Sequence, residues 1–186
     1  MKPVVIDKDA FSQGQILSKI WLCTELEKVN LFTNPKVWVL GGWHGLASFL
    51  LLSRGSINIK EIRSFDVDPT CESIADVINN TWVTDNWKFK AYTHDCNSLD
   101  YSTPPNIVVN TSTEHFESND WFNIIPSGTL VCLQGNNLNH DDHFSQVENF
   151  SKFLKSYRFS NIMYQGEKEF VYPDFKFTRY MIIGIK

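Results

Sequence analysis

Hydrophobic and polar positions along the chain fall into blocks that switch between a helical and a strand-like period. Between Ser12 and Val29, Ile16, Ile20 and Cys23 recur on one side beside Leu17 and Trp21, while Lys19, Glu25, Glu27 and Lys28 stay on the polar side. That spacing predicts an amphipathic helix, and Ser12 with Gln15 has the spacing of a capping box at its start. After the breaker Asn34-Pro35, Lys36–Leu40 is a short apolar run of the kind buried parallel strands make. Leu46–Arg54 then reads as a helix stopped at Gly55. Further strands are predicted over 59–65, 87–92, 107–110 and 129–134, with helices over 70–80 and 144–157. The last two runs, 162–170 and 175–185, flank Tyr172-Pro173-Asp174 and read as a hairpin.

Strands alternating with helices imply an α/β fold: a doubly wound, mostly parallel seven-stranded sheet with a C-terminal antiparallel hairpin. One domain is expected over residues 1–186, with 1–35 forming an N-terminal helical cap and 36–186 the Rossmann-like core. A composition 42% hydrophobic excludes whole-chain disorder. The net charge of -4 carries no footprint for a nucleic-acid backbone. The longest apolar stretch, Leu46 to Leu52, falls far short of the roughly 20 residues a membrane span needs, and the acidic N-terminus does not read as a secretory signal. A cytoplasmic location is therefore expected. Cys23, Cys71, Cys96 and Cys132 form no C-x-x-C pair and read as buried thiols.

Ligands of wound sheets bind beyond the carboxyl ends of the strands, so those loops carry the candidate chemistry. The loop after the first strand is Gly41-Gly42-Trp43-His44-Gly45, where glycine lets backbone approach a ligand closely. Asp66 closes the second strand, where a carboxylate can accept both hydroxyls of a ribose. Asp95 and Cys96 follow the third strand, where a side chain can meet a base edge.

With these residues the chain, from about Lys36 onward, resembles class I S-adenosylmethionine-dependent methyltransferases, and more loosely the small methyltransferase-like proteins of phage and bacterial genomes. The resemblance implies that Gly41, Gly42, Trp43 and Gly45 form the cofactor loop, that Asp66 binds the ribose and Asp95 with Cys96 the adenine, and that Asn110 and Gln13 complete the cofactor site. It implies S-adenosyl-L-methionine as cofactor, S-adenosyl-L-homocysteine as its product, and a small molecule or exposed group as acceptor. The chain departs from the family where an acid and a middle glycine are usual: Val39 and Trp43 stand there, with Gln13, Gln15 and His44 available to hold the cofactor's methionine end. Those departures keep a non-catalytic cofactor-binding module as an alternative. An NAD enzyme is a further one, although Leu40 occupies the first glycine position of its fingerprint.

The loop after the fourth strand, Asn110-Thr111-Ser112-Thr113-Glu114-His115-Phe116, faces the methyl group in that fold. Glu114 and His115 are the catalytic candidates, histidine because its ordinary pKa lies near neutrality; the competing role for Glu114 and Ser112 is to cap the next short helix. Trp43, Phe11 and Tyr172 are candidates for aromatic walls around a sulfonium. Asn110 and Asn136-Asn137 are poor magnesium ligands; His140-Asp141-Asp142-His143 has the residues to bind a divalent ion, but the preferred reading is a polar loop leading into a helix, with no metal expected.

Overall fold

The computed structural model describes residues 5–141 and 143–186. Seven strands form one sheet: β1 (Lys36–Leu40), β2 (Glu61–Asp66), β3 (Phe89–Thr93), β4 (Ile107–Asn110), β5 (Leu130–Asn136), β6 (Asn161–Val171) and β7 (Lys176–Ile185). Their order is β3-β2-β1-β4-β5-β7-β6. The first five are parallel, and β7 inserts antiparallel between β5 and β6. The helices are α1 (Gln13–Val29), α2 (Leu46–Arg54), α3 (Pro69–Ile78), α4 (Asn80–Val83), α5 (Asp120–Asn123) and α6 (Phe150–Ser156).

The central strands are apolar throughout because both sheet faces are covered. One core joins Trp21, Leu22 and Leu26 of α1 with Ala47 and Leu51 of α2 and Val37, Val109 and Cys132 from the sheet. The other packs Trp121, Phe122, Phe153 and Tyr157 against Leu40, Val108, Leu133 and Tyr180. Register then sets the site: Leu40 lies beside Phe65 and Asn110, Asp66 beside Thr93, and Asn136 beside Arg179. The carboxyl ends of the parallel strands therefore form one edge, and β7 delivers Arg179 to it from the opposite chain direction.

Two expectations are corrected. The helix expected from 144 begins only at Phe150, because Asn149 caps it by accepting from the Lys152 amide at 3.0 Å. The preceding segment docks on the β4 loop instead, the Ser145 amide donating to the Glu114 carbonyl at 3.0 Å. In α1, Lys19 is buried and Leu17 is 46% exposed, the reverse of the expected pattern. Gly14 and Ser18 bring that face of the helix against the body of the protein, where the Ser18 carbonyl accepts from the Gln134 side chain at 2.9 Å. Elsewhere the strand and helix ends move by a few residues; β2 starts at Glu61 and β5 runs on to Asn136.

Candidate functional site

The turn after β1 is built for close approach. Gly42 has no room for a side chain: a Cβ there would lie 1.9 Å from the Ser64 hydroxyl oxygen. Gly45 takes φ +78 at the start of α2, and a Cβ would meet the Asn79 amide nitrogen at 2.6 Å. Asn79, fully buried, donates to the carbonyls of Gly45 at 3.2 Å and Ala75 at 3.0 Å, tying the turn to α3. Trp43 stands in the left-handed region at φ +46, which costs a residue with a Cβ about 1–2 kcal/mol. Its amide donates to Asp66 Oδ2 at 2.8 Å, and the Asp68 amide to Oδ1 at 3.1 Å. Asp66 thus holds the tip of the turn while each oxygen keeps a lone pair for another donor.

Asp95 is exposed and caps a short turn by accepting from the Asn97 amide at 2.9 Å. Cys96 is buried, with the Gly41 amide beside it. Burial first, and then the Asp66 and Asp95 carboxylates, push its thiol up to about 12. Asp66 ends β2 and Asp95 follows the adjacent parallel β3, so both carboxylates stand at the same edge of the sheet. Phe65 stacks on Tyr92 at 5.7 Å, and its ring lies 6.5 Å from that of His94, so the exposed edge between Asp66 and Asp95 carries aromatic faces.

Beside the turn opens a cleft with an enclosed volume of about 50 Å³, enough for a few water-sized groups. Gly41 to His44 form one wall; Gln15 and Lys19 of α1, Thr111, Ser112, Glu114 and His115 of the β4 loop and Arg179 of β7 converge from the others. Glu114 is 3% exposed, its Oε1 accepting from the Asn136 amide and lying 3.9 Å from the Arg179 guanidinium. Arg179 also donates to the Thr111 carbonyl at 3.2 Å. Lys19 donates to Gln15 Oε1, and burial followed by the Arg179 charge pushes its ammonium down to about 7, against Glu114, Asp9 and Cys23. Burial likewise lowers His44, whose ring is 4% exposed.

Four buried polar atoms around the cleft have no hydrogen-bond partner among the described residues: Glu114 Oε2, Arg179 Nε, His44 Nδ1 and Asn110 Nδ2. Buried polar groups are rarely left so, and a group of them at one place marks a site for a polar ligand. Asn110 is fully buried, its Oδ1 accepting from the Ser112 amide at 2.9 Å.

Of the residues singled out in the sequence, Gly41, Gly42, Trp43, Glu114 and His115 line this cleft. The others do not line it: Asp66 braces the turn, Gly45 ends it, Cys96 packs near Gly41, Asn110 lies beside Leu40, and Asp95 is exposed just before Cys96. Gln13 and Tyr172 do not join them. Both line a separate groove between α1 and β6, with the Tyr172 hydroxyl against Gly14 and its ring stacked on Phe175 at 4.7 Å. Gln15, two positions on, is the glutamine that reaches the cleft. Neither Ser112 nor Glu114 caps α5, whose N-cap is Asn119. Sequence reasoning missed Lys19 and Arg179; it had Thr111 only as part of the β4 loop, and Asn136 and His143 only as weighed metal ligands. Only Arg179 carried a local signal, as a charge inside an otherwise apolar strand.

No protein-family model matches the sequence, and no curated protein matches it. Solved structures do. Magnesium protoporphyrin IX methyltransferase of Synechocystis, with S-adenosylmethionine bound, superposes with a TM-score of 0.66 at 13% identity, covering 92% of this chain and 80% of that one. The N-methyltransferase NodS of Bradyrhizobium japonicum, in complex with S-adenosylhomocysteine, gives 0.65 at 10% identity, covering 96% and 89%. Coclaurine N-methyltransferase gives 0.67 at 10% identity, covering 98% and 74%. The chain has the class I methyltransferase fold. Its strand order, with an antiparallel β7 between β5 and β6, departs from the six-stranded 3-2-1-4-5-6 order of dinucleotide-binding domains. No helix among the described residues is long and apolar enough to cross a membrane.

Proposed function

We propose that the chain binds S-adenosyl-L-methionine along the edge from the Gly41–Gly45 turn to Asp95 and transfers its methyl group to a small molecule or an exposed group of a larger one. The observation that carries this reading is the pairing of two features at adjacent strand ends. A half-buried acid, Asp66, braces a glycine turn, and beside it lies a cleft holding two cations and one carboxylate. Lys19 and Arg179 complement the carboxylate of the cofactor's amino-acid tail, with Glu114 beside them balancing their charge. The enclosed volume suits such a tail rather than a nucleoside.

In this reading Asp66 takes the ribose hydroxyls with its remaining lone pairs, and the aromatic edge of Phe65, Tyr92 and His94 with Asp95 takes the adenine. Cys96 packs beneath the turn as a thiol held protonated by burial. Bound there, the cofactor would supply an electrophilic methyl for displacement by an acceptor's lone pair, its sulfur keeping the S–C electrons and a nearby base taking the acceptor's proton. Displacement of this kind depends chiefly on alignment, which the rigid turn and the Asn79 tie provide. Glu114 and His115 meet the acceptor end, Glu114 held in place by Asn136 and Arg179.

Calorimetry with S-adenosylhomocysteine tests the binding half. Saturable binding is expected, and no heat at about 1 mM ligand, an affinity poorer than roughly 4 kcal/mol, would contradict it. Transfer of labelled methyl across a broad acceptor panel tests the catalytic half; binding without any transfer would mark a sequestering module.

A further inference from the structure

Three side chains able to ligate a metal meet at the mouth of the cleft from two distant segments. Glu114 and His115 come from the turn after β4, and His143 from the loop after β5. One ligand atom from each lies within 4.8 Å of the others. The His115 and His143 rings are 4.8 Å apart between centroids and nearly perpendicular. From the sequence, residues 140–143 read as a polar loop in preference to a divalent-ion site of their own. The fold instead fastens this loop to Glu114 through Ser145, whose amide donates to the Glu114 carbonyl and whose hydroxyl donates to the Phe116 carbonyl. Asp142, in the middle of that loop, lies outside the described residues.

Two independent observations point to a ligand at this place. His143 Nδ1 lies 2.7 Å from the Leu138 carbonyl oxygen. A carbonyl only accepts, so Nδ1 carries the ring proton, and the neutral ring keeps its lone pair on Nε2. Histidines that bind metals are held in this way, by a hydrogen bond from the other ring nitrogen. Second, Glu114 is buried with Oε1 taken by the Asn136 amide, while Oε2 has no hydrogen-bond partner among the described residues. Asn136 is itself fixed, its Oδ1 accepting from the Leu138 amide at 2.8 Å. A single stretch, 136–138, thus orients both the carboxylate and the imidazole.

We infer that Glu114, His115 and His143 bind a divalent cation of the borderline class, for which zinc is the reference. Two imidazoles and one carboxylate suit such ions better than magnesium or calcium, which favour oxygen donors. Three protein ligands leave a coordination position open, as in catalytic zinc sites. Glu114 and His115 line the cleft, so that position faces it. The role rests on the proposed methyl transfer: the open position takes water or the hydroxyl of an acceptor, whose acidity the cation raises. Arg179, 3.9 Å from Glu114, and Lys19 oppose a cation here, which sets the affinity below that of a closed structural zinc site.

The test is calorimetric titration of Zn²⁺ into tag-free protein stripped with a chelator. One saturable equivalent is expected in the wild type. His115→Ala and His143→Ala, both in surface loops, should each weaken binding by at least about 10–100-fold, the range already seen on loss of residues that merely support a ligand. No saturable binding by the wild type would overturn the inference. So would binding undiminished in the double variant, the mark of adventitious surface zinc. S-adenosylhomocysteine titrated into the same stripped sample separates the two readings. Cofactor binding without zinc binding overturns the metal site alone, and zinc binding without cofactor binding overturns the methyl-transfer reading alone.

Discussion

Replacing Lys19 by methionine removes a buried ammonium while keeping most of the apolar stem that packs in α1. In the folded protein this group sits at about 7, down from 10.5, chiefly because burial disfavours its charge and secondarily because Arg179 repels it. A base whose folded pKa is lowered costs stability in full below that folded value, where the unfolded chain and the native state are both charged. The cost then shrinks as pH rises and vanishes above 10.5, where neither state is charged. At 1.36 kcal/mol per unit, the native state gives up on the order of 4 kcal/mol at pH 7 and about 2 kcal/mol at pH 9. Lys19→Met is therefore expected to be the more stable protein at neutral pH, with its advantage over wild type shrinking by about 2 kcal/mol between pH 7 and 9. Urea unfolding of both proteins at the two pH values reads this directly. Parallel behaviour, with a constant difference, would refute the reasoning. The same substitution should weaken S-adenosylhomocysteine binding, because a cation facing the amino-acid tail is lost: stability gained and ligand affinity lost together mark a site rather than a core residue.

Asp66→Ala should weaken S-adenosylhomocysteine binding by about 1.5–3 kcal/mol, the worth of hydrogen bonds to a charged group, and calorimetry showing unchanged affinity would mean the pocket is elsewhere. Gly42→Ala should abolish that binding, since its Cβ would fall 1.9 Å from the Ser64 hydroxyl oxygen, and Gly42→Ala with Ser64→Gly should recover part of it; no recovery would discount the close approach. Asn79→Ala should lower the unfolding free energy by about 1–3 kcal/mol through the carbonyls it leaves without their donor, measured by urea denaturation. His115→Ala should leave S-adenosylhomocysteine binding intact while slowing methyl transfer, and equal loss of both would assign it a structural part.

How far the sequence carried depended on whether a feature was local. Lys36–Leu40, Leu46–Arg54 and Ile107–Asn110 were legible to the residue because buried parallel strands are continuous apolar runs and Gly55, at φ +67, ends its helix sharply. The glycine turn with Asp66 was legible because both lie at strand ends, and strand ends are where wound sheets bind. Lys19 and Arg179 were not. They are 160 positions apart and meet only because β7 runs antiparallel beside β5, a property of topology that local period does not carry. The buried face of α1 was misread because small residues, Gly14 and Ser18, admit a polar stripe where a count of large apolar ones places the contact elsewhere. The helix expected over 144–157 lost its first turns to Ser145 and Asn149, whose side chains bond backbone rather than extend a helix.

A crystal structure of the protein grown with S-adenosylhomocysteine would test the central claim most directly. Both ribose hydroxyls are expected within hydrogen-bonding distance of the Asp66 carboxylate, and the homocysteine tail between the Gly41–Gly45 turn, Lys19 and Arg179. Ligand density at the groove between α1 and β6, or a cleft closed by side chains at saturating ligand, would contradict it.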